Sequence, residues 1–307
     1  MIRRLVFGLS MAACGFGQGR LVNNVGNFIH DVGNLDRSVQ FYKDVLGMDA
    51  PRPAGDWQTG EAVLKMYDAA GGKYRVANAQ IPGSPMRAEL VEFQGVERKP
   101  ARREWASAGN SIFMLTVADL APVEARIAAA KAPVLAKMKK ACDGRGLVVA
   151  DPDGFPVMLI ERTGQPKDAA AKSNFTGMRF GYRVSGDAMV KGPFAALGLQ
   201  AETRRHICQP IEEALVSGDS SVVTLPGGFE IWFFKGKAAK PSAVRPRDPG
   251  AAVLRFAASD VDAGVQALAK VQVKVVSEGG AIQTLAPGTT RAAILRAPDD
   301  LFIQLVK

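Results

Sequence analysis

The chain has 307 residues, an apolar fraction of 47% and a formal net charge of +9 at pH 7. This length favours two domains over one, and the apolar fraction excludes a disordered chain because it suffices to build cores. The positive charges are dispersed, with no basic stripe and no interleaved aromatic residues, so we expect no nucleic-acid partner.

The first twenty residues have the pattern of an export leader. Arg3 and Arg4 precede a short apolar run from Leu5 to Ala13, which is too short to span a bilayer. The letters MAAC resemble a bacterial lipoprotein processing site, with Cys14 as the lipid acceptor. We predict a signal peptide or lipoprotein leader over residues 1–20, and a periplasmic or lipid-anchored bacterial protein. The alternative is a cytoplasmic protein with an ordinary N-terminus.

One order of elements repeats along the rest of the chain. A strand over residues 23–32 is followed by a helix over 36–46, which Gly47 ends, and by strands over 61–68, 73–81 and 87–93. The order returns three times, which predicts an α+β fold of four βαβββ units in two tandem domains. We place the first domain at 21–163, with units 21–97 and 109–162, a linker at 164–173, and the second domain at 174–307, with units 174–236 and 250–307.

Three quoted stretches carry a resemblance to a known family. Residues 34–48 read NLDRSVQFYKDVLGM, a later turn and strand read DPDGFPVMLIE, and the chain closes on APDDLFIQLVK. These resemble the vicinal oxygen chelate superfamily, which includes glyoxalase I, fosfomycin and bleomycin resistance proteins and extradiol dioxygenases. The resemblance implies that two units curl their sheets into a cup, which usually holds one divalent metal that chelates two oxygens of a substrate. Fold alone does not imply the reaction.

The resemblance also implies where metal ligands would stand, on the first and last strands of each unit. A His or Gln and a Glu are usual there, since imidazole and carboxylate suit Zn, Ni, Fe or Mn. Unit by unit, these positions fall on Asn27 and Glu89, Ile112 and Met158, Arg179 and Glu230, and Val253 and Gln304. Neither cup then holds a competent metal site, so we predict no metal cofactor, with a divalent metal as the alternative. The cysteines Cys142 and Cys208 are interpreted as structural thiols.

Two of these positions hold a glutamate, Glu89 and Glu230, and the two residues have different interpretations. A carboxylate in an apolar cup can serve as a general base, because desolvation raises the pKa of a carboxyl group. Arg179 occupies the strand position partnered with Glu230, which favours a buried ion pair, whereas Glu89 faces the uncharged Asn27 and is the candidate catalytic residue. His30 points to the other face of its strand unless a bulge turns it, which favours a structural role.

The sequence therefore favours a protein that binds a small oxygen-rich or anionic organic ligand in a cup without the usual metal. The residues predicted to line the cups and bind the ligand are Asn27, Glu89, Met158, Arg179, Glu230 and Gln304. The first alternative is a metal-dependent lyase or ring-cleavage dioxygenase with a site rearranged around Glu89, His30 and Asp31. The second is a non-catalytic interaction module with filled cups. The protein is expected to be a monomer or homodimer, and the sequence does not identify the ligand.

Overall fold

The computed structural model describes residues 20–51, 53–82, 87–101, 104–141, 144–161, 174–186, 188–204, 220–237, 243–285 and 288–307. The side chains of residues 24–27, 138–141, 144, 188, 189 and 204 lie outside this description. Several predictions fall outside the described residues: the leader with Cys14, the linker at 164–173, and the thiols of Cys142 and Cys208. No helix among the described residues is long and apolar enough to cross a membrane.

The first unit begins with β1 (Val22–Asp31) and α1 (Leu35–Gln40), which continues as a π-helical turn over Phe41–Leu46. The helix starts where the sequence predicts, because the Asn34 side chain accepts a hydrogen bond from the Arg37 backbone N–H at 2.9 Å. It ends at Gly47, whose φ of 90° is one that a residue without Cβ adopts readily.

The strand predicted over residues 61–68 is wrong, since this segment forms α2 (Glu61–Met66). Its residues, EAVLKM, are mostly strong helix formers, and Leu64 and Met66 are buried at helical positions beside the sheet. The first unit therefore continues directly to β2 (Lys73–Gln80) and β3 (Arg87–Gln94).

The other three units follow the predicted order. The second contains β4 (Ser111–Val117), α3 (Ala121–Ala129), β5 (Val134–Ala141), β6 (Gly144–Ala150) and β7 (Pro156–Glu161). The third contains β8 (Phe175–Val184), α4 (Ala188–Ala196), β9 (Ala201–Arg204), β10 (Ser220–Thr224) and β11 (Glu230–Lys235). The fourth contains β12 (Ala252–Ala258), α5 (Val261–Ala269), β13 (Lys274–Val275), β14 (Gln283–Leu285), β15 (Thr290–Arg296) and β16 (Phe302–Val306).

These strands form two eight-stranded sheets, which confirms the α+β class with four units. Sheet I has the order β13, β15, β16, β12, β1, β3, β2, with β14 beside β15. Sheet II has the order β5, β6, β7, β4, β8, β11, β10, β9. Sheet I thus combines the first and fourth units, and sheet II combines the second and third.

The predicted pairing of consecutive units within domains 21–163 and 174–307 is therefore wrong. Each of those ranges contributes one unit to each sheet, because β1 pairs antiparallel with β12 and β4 pairs antiparallel with β8. A βαβββ unit leaves one edge of its first strand open, and the first strand of any other unit can fill it. Local sequence patterns define the unit but not this choice of partner.

The main core lies between the two sheets and includes the apolar sides of the helices. Phe28 of β1 packs against Phe113 of β4 and Phe180 of β8, with ring centroids 5.4 and 5.0 Å away. Because strand side chains alternate in direction, the other face of each sheet is lined by a second set of residues. A smaller apolar cluster lies on that concave face in each sheet.

Candidate functional site

The concave face of sheet I carries a chain of three polar side chains. The Arg255 guanidinium group on β12 donates to both carboxylate oxygens of Glu89 on β3, each at 3.1 Å. Its Nε donates to the Gln304 side-chain oxygen on β16 at 2.6 Å, and the Gln304 amide nitrogen lies 3.0 Å from the Met66 sulfur. Side chains of Arg255 and Glu89 are 22% and 15% exposed, so solvent or a ligand can reach the pair.

The concave face of sheet II carries a second ion pair of the same kind. Arg179 Nε lies 2.9 Å from the Glu230 carboxylate, as predicted, and the Trp232 indole N–H donates to the same carboxylate at 3.0 Å. Met114 stands beside both Met158 and Arg179 in the strand register. Met114 and Met158 belong to the apolar cluster of this face.

Two of the predicted ligand positions are wrong by two residues along their strands. On β12 the residue level with Asn27 and Gln304 is Arg255, not Val253. On β4 the residue level with Met158 and Arg179 is Met114, not Ile112. A step of two residues preserves the face of the strand, so alternation alone could not reveal the shift.

The pairing of Glu89 also differs from the prediction. Asn27 stands opposite Arg255 across the ladder, and its side chain lies outside the described residues. Glu89 is held by two hydrogen bonds to the Arg255 guanidinium group, which had no place in the predicted site. Both carboxylate oxygens of Glu89 are already engaged by the guanidinium group, which is unfavourable for a general base that must reach a substrate proton.

The described donors of the two concave faces do not fit the divalent metal that the fold family implies. The glutamate at the predicted position of each face, Glu89 or Glu230, is bound to a guanidinium cation, which repels a divalent ion. The methionines of sheet II are soft ligands, whereas Zn, Ni, Mn and Fe sites use imidazole and carboxylate. A metal site would need the loss of the ion pair and additional ligands.

A separate group of metal-type ligands lies between the sheets rather than in a concave face. Ligand atoms of His30, Asp151 and Asp153 are within 4.8 Å of one another, close enough to contact one ion. The His30 Nε2 lies 2.7 Å from an Asp151 oxygen, and its Nδ1 lies 3.1 Å from the Ala251 carbonyl oxygen. The register shift in β1 comes before His30, so His30 stays on the core side.

Hydrogen bonds already occupy these ligand atoms. The second Asp151 oxygen accepts two backbone N–H groups of its own Asp-Pro-Asp-Gly turn, and Asp153 accepts the Gly33 N–H at 2.9 Å. Burial lowers the pKa of His30, but the charge and hydrogen bond of Asp151 and the charge of Asp153 raise it more, and the net pKa lies above 6.5. His30 and Asp151 therefore form a buried hydrogen-bonded pair that joins the two sheets.

Two buried polar side chains near the Arg255 pair have no partner among the described residues. They are Asp31, at the end of β1, and Tyr67, directly after α2, which are 1% and 2% exposed. Burial and then the charge of Glu89 raise the pKa of Asp31 well above 3.8, against the opposing effect of Arg98. Sequence reasoning gave Asp31 only a minor place and missed Tyr67, because a helix stands where a strand was predicted.

Part of the sequence is similar to a known protein family. A sequence profile of the Glyoxalase/Bleomycin resistance protein/Dioxygenase superfamily matches residues 31–159. Over these residues, which are less than half of the chain, the sequence is similar to that superfamily. The matched range covers the first and second units, which the structure places in different sheets. The consecutive pair found by sequence is therefore not the pair that forms a concave face. No curated protein matches the sequence significantly.

Solved structures extend the likeness to nearly the whole chain. Glyoxalase I from Zea mays is similar with a TM-score of 0.61 and 15% identity, over 94% of this chain and 92% of that chain. A Bacillus subtilis protein proposed to be a dioxygenase has a TM-score of 0.58 and 13% identity, over 94% of this chain and 86% of that chain. At these identities the likeness shows the shared fold alone, and the residues of the site must carry any functional conclusion.

Proposed function

We propose that this protein binds a small oxygen-bearing organic molecule in a concave sheet face, with an arginine–glutamate pair in place of the metal of its superfamily. The observation that carries the proposal is the recurrence of the pair. Arg255 with Glu89 in sheet I and Arg179 with Glu230 in sheet II occupy corresponding faces and are both partly exposed. The two glutamates hold corresponding positions, on β3 and β11, whereas the arginines come from strands that do not correspond, β12 in sheet I and β8 in sheet II. What recurs is a glutamate bound by an arginine on the same face of the sheet.

The chemistry of sheet I supports an oxygen-bearing ligand. Three of the five N–H groups of the Arg255 guanidinium donate to Glu89 and Gln304. The remaining N–H groups can donate to an oxygen of a ligand. The surrounding side chains form an apolar cluster that includes Ile29 and Phe93, which suits a carbon skeleton. Apolar walls with a few fixed polar groups are typical of small-molecule sites.

The alternative function is a metal-dependent lyase or dioxygenase, and the grouping of His30, Asp151 and Asp153 is the observation in its favour. Two of its three members, His30 and Asp151, are buried between the sheets, and the ligand atoms of all three are engaged in hydrogen bonds that a metal would have to displace. A catalytic metal normally keeps an open position for water or substrate. The ion-paired concave faces are therefore the better site for a ligand.

Native mass spectrometry of the full chain isolated from its own cells tests the proposal. We expect a small organic adduct on the wild-type protein. The adduct should be lost from Arg255→Gln if sheet I is the site, or from Arg179→Gln if sheet II is the site. Arg145→Gln is the matched control, because Arg145 forms an ion pair with Glu161 on the opposite face of sheet II. An adduct that survives both concave-face substitutions, or depends on Arg145, would contradict the proposal.

A further inference from the structure

Two links between units carry most of the net charge of the chain. One link, residues 95–109, joins the first unit to the second, and the other, residues 235–250, joins the third unit to the fourth. Together they contain nine Lys and Arg against three Asp and Glu, which is +6 of the formal net charge of +9. A long stretch of sequence separates the links, so only the fold decides whether these charges act together.

Backbone hydrogen bonds hold the two links side by side. The Ala101 N–H donates to the Pro249 carbonyl oxygen at 2.7 Å, and the Ala108 N–H donates to the Lys237 carbonyl oxygen at 2.8 Å. Both the middle and the end of the first link therefore contact the second link. Charges that are dispersed in the sequence come together on one surface, which we call the basic end.

The cations of the basic end are only partly neutralised. Those among the described residues are Arg98, Lys99, Lys235, Lys237, Arg245 and Arg247. The carboxylates paired with them are Glu97, Glu104 and Asp248 of the links and Asp68 from outside them. The six cations outnumber these four carboxylates. The side chains of Lys99 and Lys237, one on each link, are 76% and 61% exposed, so the excess charge is accessible.

We infer that the basic end docks on the surface of an anionic lipid bilayer. Anionic headgroups give a membrane a negative surface potential, which attracts clustered Lys and Arg side chains. This attraction falls off within a Debye length, about 10 Å at 0.1 M salt, so cations contribute together only where they lie on one surface. The side-by-side links provide such a surface. The inference is independent of ligand binding in the concave faces.

Two features of the basic end suit a bilayer better than a peptide or a small ligand. The cavity that both links line measures about 30 Å³, which is room for about one or two water molecules, so no side chain of a partner enters it. Val96, Trp105 and Val244 are partly exposed beside the cations. The surface of a bilayer accepts charged and apolar side chains together, and tryptophan is enriched at such interfaces.

Sedimentation of the full-length protein with lipid vesicles tests the docking. Vesicles of phosphatidylglycerol mixed with phosphatidylcholine carry anionic headgroups, and vesicles of phosphatidylcholine alone are the neutral reference. We expect binding to the anionic vesicles only, weakened about tenfold or more when the salt rises from about 0.05 M to about 0.5 M. Equal binding to both vesicle types would overturn the inference, because an apolar segment such as the predicted leader would then carry the binding.

Charge reversal on the two links locates the contact. Lys99→Glu combined with Lys237→Glu should weaken binding to the anionic vesicles about tenfold. The matched control is Lys43→Glu combined with Lys270→Glu, which changes the net charge equally at two exposed lysines outside the links. We expect the control to bind as the wild type does. Equal losses in the two variants would show that only the net charge matters, and would overturn the docking surface.

The fold of the link variant can be checked separately. Lys99 and Lys237 form exposed ion pairs with Glu97 and Glu104, and such pairs contribute little to stability. Circular dichroism and thermal unfolding of the link variant should therefore match the wild type, so that a loss of binding reports on the surface.

Two further probes separate other classes of partner. Polyglutamate and a short single-stranded oligonucleotide present acidic chains without a bilayer. If either one binds and depends on Lys99 and Lys237 while the anionic vesicles do not bind, the basic end serves another class of partner and the inference is wrong. Arg255→Gln should leave vesicle binding unchanged, since Arg255 lies in a concave face. A loss of vesicle binding in that variant would place the contact on sheet I and overturn the inference.

Discussion

His30 and Asp151 show how a single contact can join two sheets. Both side chains have no exposed surface, and each comes from a different sheet, His30 from β1 and Asp151 from the turn between β6 and β7. A buried pair of this kind adds little net stability compared with apolar residues, but removal of one member leaves an uncompensated charge. The position of His30 on the core side could be predicted from strand alternation, whereas its partner could not, because no local pattern links residues so far apart.

We predict that His30→Ala lowers the free energy of unfolding by about 3–5 kcal/mol at pH 6, since Asp151 is left buried without its partner. Urea denaturation followed by circular dichroism measures the change. Arg37→Ala is the control, because it breaks the exposed contact between Arg37 and Asp153 and should cost under about 1 kcal/mol. Equal effects of the two substitutions would contradict the buried-pair interpretation.

The same pair should make stability depend on pH. The pKa of His30 is raised in the folded protein, so the imidazolium form stabilises the fold fully below 6.5, its usual pKa. This contribution is lost as pH rises through the folded pKa. Urea denaturation at several pH values should show wild type losing its advantage over His30→Ala across this range. A difference that grows with rising pH would contradict the assignment.

The contribution of Asp31 to stability also falls with rising pH, but from a lower starting pH, and this gives an independent prediction. Its pKa is raised well above 3.8, so the protonated acid is favoured in the fold and the contribution of Asp31 to stability falls as pH rises from 3.8 through the folded pKa. Asp31→Leu removes that penalty. We expect the variant to gain stability relative to wild type as pH rises from 4 to 8, measured by thermal unfolding. A gain that is constant over this range would exclude a buried acid at this position.

At the scale of elements, most of the secondary structure was predictable because it depends on local patterns. The first helix, its Asn34 cap and the stop at Gly47 follow from residues adjacent in the chain. The failure at α2 has a physical cause, since a short segment with apolar residues fits either a strand or a buried helix. That failure also hid Tyr67. Arg255 was not predicted as a site residue for another reason: its position depends on the strand register between the first and fourth units, which are distant in sequence.

Two helical glycines provide a matched test of how closely the helices pack. A Cβ on Gly264 of α5 would lie 2.6 Å from a buried methyl carbon of Leu305, whereas a Cβ on Gly192 of α4 would meet its nearest heavy atom at 4.0 Å. We predict that Gly264→Ala destabilises the protein by about 1–3 kcal/mol through overpacking. Gly192→Ala should have an effect near zero, because the helix propensity gained with alanine is offset by the steric restriction on a residue that precedes Pro193. Denaturant titrations that rank the two in the opposite order would contradict the packing of α5 on β16.

At the scale of the whole molecule, the two sheets depend on contacts between the two halves of the chain. β1 pairs with β12 over a register from Val22 to His30, and β4 pairs with β8. The repeat of four units could be predicted from the sequence, but which units share a sheet could not. All four first strands are apolar and suit a central position, so the choice is made by tertiary packing.

This arrangement predicts the behaviour of the two halves when they are separated. Fragments 1–163 and 174–307 each lack the partner for two first strands, so neither should fold as a monomer. We expect each alone to be unfolded or to form a dimer through the open strand edges, and the two together to assemble into a complex. Size-exclusion chromatography with circular dichroism measures this. A monomeric fragment with cooperative unfolding would contradict the pairing of the first unit with the fourth.

The central claim, that arginine–glutamate pairs replace the metal of the superfamily, is tested most directly by elemental analysis of the native full-length protein. The analysis should accompany the variants Glu89→Gln and Asp153→Asn. The account predicts only substoichiometric Zn, Ni, Mn and Fe in all three proteins, because Glu89 and Glu230 are already bound to guanidinium cations. About one such ion per chain in the wild type, lost in Glu89→Gln or in Asp153→Asn, would contradict the account and locate the metal in the concave face or between the sheets, respectively.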